Sequence, residues 1–201
     1  MMPAAQSLMS ELDATLNKIP GSRHLVILRR VTDLFLVNTG HYTDEQIAIF
    51  DDVISRLIEN MDTKALIELS VRLSAGGLVP SNVAARLSNY EDIAVSGPAL
   101  EKSDNLSERT LVEIAGKKSQ KHLAAIAGRQ HLSEVVTDIL VDRGNSAVSK
   151  RVTANLGARI SEIGFVKLIN RAKTDRDLAN AIAERNDLPA ELVPFLKLTL
   201  A

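Results

Sequence analysis

An all-α fold, an α-solenoid array of stacked helix pairs behind an N-terminal helical bundle, is what this sequence predicts. Three observations predict it. The chain repeats: Leu106-Ser107-Glu108, Leu132-Ser133-Glu134 and Ile160-Ser161-Glu162 recur at intervals of 26 and 28, and Leu188-Pro189-Ala190-Glu191 follows 28 later as a looser copy. Stepping back 28 from Leu106 lands on Leu78-Val79-Pro80-Ser81, and such a period suits one helix pair per unit. Second, the 201 residues are 45% hydrophobic but only 3% aromatic, with no Trp, and abundant Ala and Leu favour helix over sheet. Third, each repeat opens on a helix-start signal, a Ser whose oxygen can accept from an unpaired amide and a Glu that suits the positive end of the helix dipole.

Three regions follow: an N-terminal helix in 1–21, a bundle in 22–76 and the array in 77–201, the last two packed as one continuous domain. Residues 4–18 carry Leu8, Leu12 and Leu16 at helical spacing and end at Pro20-Gly21. Ser22 caps a helix over 23–38 with Leu25, Leu28, Val31 and Phe35 in line, and Gly40 stops it. Thr43 and Gln46 form a capping box for a helix over 44–60 whose stripe is Ile47, Phe50, Val53, Ile54, Leu57 and Ile58. Asp62 or Thr63 starts the next, through Ala65, Leu66, Leu69 and Leu73, halted by Gly76-Gly77, the expected joint between bundle and array.

Pro80 fits the first turn of a short helix with Val83 and Leu87 inward. A helix over 90–102 contains Gly97-Pro98, which should kink it or delay its start. The first helices of the regular units then present Leu111, Ile114 and Ala115; Val135, Val136, Ile139 and Leu140; Ile163, Val166 and Ile169. The second helices are rich in small residues, as in 123–127, 148–156 and 178–183, so that neighbours approach closely. No pair buries its stripe alone, and stability should come from the next pair. After Pro189 a last helix carries Leu192, Val193, Leu196 and Leu200 and ends on half a unit without a polar closing face. The expectation is a longer protein or a homodimer through this C-terminal apolar end.

The chain has no cysteine, which excludes disulfides and thiolate chemistry. No apolar run reaches the ~18 residues that span a bilayer, and no signal peptide opens it; a soluble cytoplasmic protein is expected. Net charge is −1 yet unevenly laid out, −6 over 1–116, +6 over 117–185 and −1 over the last 16 residues. The two halves either attract each other and water, or the basic part forms a partner-binding surface.

Catalytic signatures are absent. His24, His41, His122 and His131 form no zinc-binding i, i+4 pair. No Gly-x-Ser-x-Gly, P-loop or Gly-x-Gly-x-x-Gly occurs, Gly76-Gly77 reads as a hinge, and Asp51-Asp52 and Glu91-Asp92 read as solvated faces. No metal, cofactor or catalytic residue is expected, and the protein reads as no enzyme. The suggestive polar set is Arg129, Arg159 and Arg185 near the ends of second helices, widened by Arg143, Arg171 and several lysines, with His122 beside a stripe. These are candidate partner-binding residues. Arginines at helix ends also stabilise terminal carbonyls, and His122 can serve as a hydrogen-bonding core residue.

Three runs carry a resemblance: 42–53, opening Tyr42-Thr43-Asp44-Glu45-Gln46; 119–129, centred on His122-Leu123-Ala124-Ala125; and 137–145, closing Asp142-Arg143-Gly144-Asn145. Together they resemble the bacterial family catalogued as domain of unknown function 2336, over a likeness from about Ser22 to the end. The resemblance implies a helical, HEAT-like fold and brings no activity, so no functional residue is carried over; members that continue further imply a longer protein. The expected function is a non-enzymatic scaffold for an unidentified protein partner. Nucleic-acid binding by the basic 117–185 face is the alternative, against which low aromatic content denies stacking platforms. A HEAT-like base-excision glycosylase is weaker still.

Overall fold

The computed structural model describes residues 14, 21–38 and 40–200; apart from Ala14, the helix expected over 4–18 lies outside the described residues. The α-helices, numbered here in chain order, are α1 Gly21–Val37, α2 Asp44–Leu57, α3 Thr63–Ala75, α4 Ser81–Ser88, α5 Ile93–Lys102, α6 Glu108–Lys117, α7 Gln120–Ala127, α8 Glu134–Arg143, α9 Ser146–Ala154, α10 Glu162–Ala172, α11 Arg176–Ala183 and α12 Val193–Leu200. Among the described residues there is no strand, only an isolated bridge between Leu132 and Ala158. No described helix is long and apolar enough to cross a membrane.

The chain divides into two compact units, residues 1–99 with 103–105, and residues 100–102 with 106–201. In the first, α1 packs on α2 and α3, and α2 packs on α4. Thr43 and Gln46 make the reciprocal capping box before α2, and Gly40, at φ +96°, turns the chain between α1 and α2. Phe35, Tyr42 and Phe50 cluster with ring centroids 5.0–5.9 Å apart, Phe35 stacked on Tyr42 and Phe50 tilted against both. Asp62 caps α3 by accepting from the Ala65 amide.

One acidic pair differs from its sequence reading. Asp51 is buried, and its two carboxylate oxygens accept from the Asn82 and Val83 amides at 2.9 Å. The residue at the N-cap of α4 is Pro80, which has no side chain able to cap. A carboxylate from α2 therefore does so from across the packing seam, where the helix dipole also favours it. Asp92 likewise caps α5 through the Ala94 amide. That helix starts after Asp92 and keeps Pro98 inside it.

In the second unit the helices lie in two rows. First helices adjoin in order, α6 to α8 to α10 to α12, and so do second helices, α7 to α9 to α11. Ser107 and Ser161 cap α6 and α10 as expected, through the amides of Thr110 and Gly164. Ser133 makes no such bond to α8. Leu111, Ile114, Val136, Leu140, Phe165, Leu168 and Ile169 are buried from the first row, and Leu123, Ile126, Val148, Val152, Leu178 and Ile182 from the second. Val135, Ile163 and Val166, which the apolar spacing places inward, are exposed instead. The buried stripe on α10 runs through Phe165, Leu168, Ile169 and Ala172, so Ile163 falls on the helix's other side and Val166 at the stripe's edge.

The bridge ties successive units: the Leu132 amide donates to the Gly157 carbonyl at 3.2 Å and the Arg159 amide to the Leu132 carbonyl at 3.0 Å. It demands a glycine, because a Cβ on residue 157 would stand 1.8 Å from the Gln130 carbonyl oxygen. Gly157→Ala should therefore cost about 1–3 kcal/mol through forced backbone displacement. Gly116→Ala in α6, where a Cβ meets nothing within 4 Å, should gain about 0.5–1 kcal/mol from helix propensity. Urea unfolding of the two variants should shift the midpoint in opposite directions.

Candidate functional site

The last four carbonyls of an α-helix have no partner within it, and the second unit supplies partners from the following pair. In the second row, Arg129 Nη1 donates to the Leu100 carbonyl at the end of α5, at 2.6 Å. Asn155 Nδ2 donates to the carbonyls of Ala127, the last residue of α7, and Arg129 just beyond it, at 3.0 and 2.6 Å. Arg185 Nη1 donates to Thr153 in the last turn of α9 and to Asn155 just after it, at 3.0 and 2.8 Å, and its Nη2 to Ala158 at 2.8 Å. Asp187 holds the Arg185 guanidinium at 2.7–2.8 Å, and the Phe165 ring lies 5.8 Å from it. Donors of this kind, charged and carrying several N–H groups, suit clustered carbonyls.

The first row repeats the device. Arg143, the last residue of α8, donates to the carbonyl of Ala115 and, at 3.5 Å, to that of Lys118. Arg171 in α10 donates to Gly144 and Asp142 at 2.7 and 3.1 Å, and to the Ser149 hydroxyl at 2.7 Å. The six candidate residues are thus dispersed along the seams rather than gathered into one ridge. Arg129, Arg185 and His122 are buried, the last with its Nδ1 2.8 Å from the Ser119 hydroxyl. Arg143 and Arg159 are exposed, the side chain of Arg159 by 78% and paired with Glu134 at 2.9 Å. Asn155, which does for the middle pair what arginine does for its neighbours, escaped a reading that sought charge; it stands 26 residues after Arg129.

Carboxylates join the seams too. Asp175 caps α11, accepts from the Ser146 hydroxyl at 2.7 Å and lies 2.9 Å from Lys150 Nζ. The Ser146 hydroxyl first, then Lys150, pulls its carboxyl down from 3.8 to about 2. Lys150 is raised in turn, chiefly by Asp175. Among the described residues no group of three or more His, Asp or Glu side chains is placed to hold a metal ion.

Among the described residues a concave apolar surface lies on the first row. A groove of about 550 Å³ runs between α10 and α12, lined by Val166, Ile169, Asn170, Lys173, Leu192, Phe195, Leu198 and Thr199. Its rim is Val166, Phe195 and Leu198, exposed by 47, 59 and 78%, with Ile163 also exposed one turn earlier on α10. The preceding seam, α8 to α10, is polar at the same places. Asp138 accepts there from the Ser161 hydroxyl at 2.6 Å, and Asp142 pairs with Lys167. Twenty-eight residues on, Asp138, Asp142 and Lys167 become Val166, Asn170 and Phe195. The sequence reading missed the groove because it assigned Val166 to the core. The replacement of three bonded polar residues by Val, Asn and Phe at one repeat interval was the signal available.

A family model described as "Uncharacterised protein conserved in bacteria (DUF2336)" matches residues 95–196. The match includes the runs 119–129 and 137–145 and leaves out 42–53. No curated protein and no solved structure matches the chain.

Arg185→Met, which strips two buried carbonyls and one half-buried one of their donor, should cost about 3 kcal/mol or more. Arg159→Ala, at an exposed pair, should cost no more than about 1 kcal/mol; urea titration of both variants checks the contrast. Asp175 has a folded pKa below its ordinary value, so its stabilisation is complete above pH 3.8 and is lost as the pH falls towards about 2. In Asp175→Asn that part of the acid dependence should vanish, as read from Tm against pH.

Proposed function

The chain belongs to the bacterial family described as Uncharacterised protein conserved in bacteria (DUF2336), and we propose that it is a non-enzymatic, HEAT-like solenoid scaffold of the cytoplasm that holds a protein partner on its first-helix row. The observation that carries this reading is the apolar groove between α10 and α12, with Val166, Phe195 and Leu198 exposed along it. Single apolar side chains on a surface are ordinary; several gathered on one concave wall characterise contact sites. The two ordered rows of helices support the solenoid reading, because stacked pairs leave one long face of each row open to a partner.

The nucleic-acid alternative draws less support. Phosphate contacts need free Lys and Arg, whereas Arg129, Arg143, Arg171 and Arg185 donate to carbonyls and Arg151, Arg159 and Lys167 pair with carboxylates. The basic count of residues 117–185 is largely spent holding successive pairs together.

A photo-crosslinking amino acid in place of Phe195, introduced in the native bacterium, should join the chain to a discrete protein. The same group at exposed Lys117, in α6, should not, and adding Leu198→Asp to the Phe195 probe should abolish the product. Equal labelling from both positions, or none from residue 195, overturns the scaffold reading. Duplex binding at ~50 mM salt that weakens steeply as salt rises would favour the alternative.

A further inference from the structure

Resting on the scaffold reading, we infer that the protein held on the α10–α12 face is a second copy of this chain. The two copies dock about a two-fold axis, with α10 of one running antiparallel to α10 of the other.

The spacing of charge along α10 carries the argument. Glu162, Val166, Ile169 and Lys173 stand at i, i+4, i+7 and i+11, and so share one face of the helix. That face opens on a carboxylate in the first turn and closes on an ammonium at the C-cap, both exposed. Val166 and Ile169 lie between them on the groove wall. Among the described residues, neither the Glu162 nor the Lys173 side chain has an ion-pair or hydrogen-bond partner. The preceding first helix differs. Glu134 and Asp138, 28 residues before Glu162 and Val166, are engaged within the chain by Arg159 and Ser161. The α10 face thus combines bare apolar surface with two unspent charges of opposite sign.

An isologous contact joins the same patch of two copies, residue i meeting j while j meets i. With α10 reversed on α10, Glu162 of each copy meets Lys173 of the other, and Val166 lies over Ile169. Both pairs fit one register, because both are symmetric about the midpoint between residues 167 and 168. A parallel arrangement would instead set carboxylate against carboxylate. A foreign partner would have to present an acid, an apolar stretch and a base in the reverse order; a second copy does so by symmetry. The apolar contact comes from the same surface. Phe195 and Leu198 on α12 and Ile163 on α10 are exposed beside it, and homodimer interfaces are more apolar than other surface. Phe195 of each copy, an aromatic anchor, enters the other's groove. A net charge of −1 per chain leaves little long-range repulsion between copies.

Sedimentation equilibrium of the full chain over a dilution series should show a reversible dimer, and Phe195→Asp should leave a monomer. Glu162→Lys and Lys173→Glu each set like charges at both ends of the contact, so each should weaken the dimer about tenfold or more. Mixed together, these two variants should pair with one another, and the double variant should regain the original affinity. Both combinations restore an opposite-charge pair at each end. Circular dichroism verifies that the variants remain helical; should Phe195→Asp lose helicity, the charge exchanges on the exposed surface decide. A chain still monomeric at about 1 mM, a dimer indifferent to a folded Phe195→Asp, or single-exchange variants that fail to pair with one another overturns the inference. If the crosslinking group at residue 195 captures a different protein while the chain is monomeric, the scaffold reading stands and this inference falls. No product from residue 195 removes both.

Discussion

Short helices have a large share of their backbone at their ends, and that sets the terms for the second unit. Its helices run from 8 to 11 residues, so four terminal carbonyls are a third to a half of each. Leaving them buried and unpaired would cost more than the small-residue packing returns. The following pair meets the demand with Arg129, Asn155 and Arg185 in one row and Arg143 and Arg171 in the other. A donor of set length reaching a terminal carbonyl also sets how far the next helix lies along the row. Polar satisfaction and register are therefore one interaction, and the apolar spine is packed within limits it imposes.

The first unit meets the matching problem at the opposite helix end. Pro80 leaves the start of α4 without a side-chain cap, and Asp51 on α2 accepts from two of its amides. A buried carboxylate is tolerable there because both its oxygens are hydrogen-bonded and the dipole stabilises its charge. In both units, helix ends are completed by side chains distant in sequence. Packing of one helix on another thereby becomes a condition for satisfying its backbone, which favours cooperative formation of the pairs.

Where this pattern stops, the chemistry of the surface changes. The α8–α10 seam is closed by Asp138 with Ser161, Asp142 with Lys167, and Arg171 on the carbonyls beyond α8. At the α10–α12 seam the corresponding residues are Val166, Asn170, Phe195 and Thr199, and a groove of about 550 Å³ lies between the helices. Where the α8–α10 seam has bonded polar side chains, the space between α10 and α12 is lined mainly by carbon. The same substitutions that withdraw internal bonding leave an apolar concave wall.

Much of the fold was legible in the residues. Period, caps and apolar spacing follow from local rules, since a capping Ser, a stopping Gly and a 3.6-residue stripe act within one or two turns. The all-α class, the positions of the helices after residue 20 and the starts at Leu106, Leu132 and Ile160 could be read that way, as could the capping box of Thr43 and Gln46. Phase around a helix was less secure. Val135, Ile163 and Val166 fit a stripe as well as Val136, Phe165 and Leu168 do, and the facing helices choose between them. Charge was least legible, because an arginine in a sequence looks the same whether it faces water or a neighbour's carbonyl. What the sequence by itself determined is where helices begin and end and that pairs recur, because those depend on near neighbours. Only the tertiary structure decided that Asp51 and the arginines complete distant helix ends, and that Val166 and Phe195 border a groove, because both depend on which backbone a side chain meets once the pairs are packed.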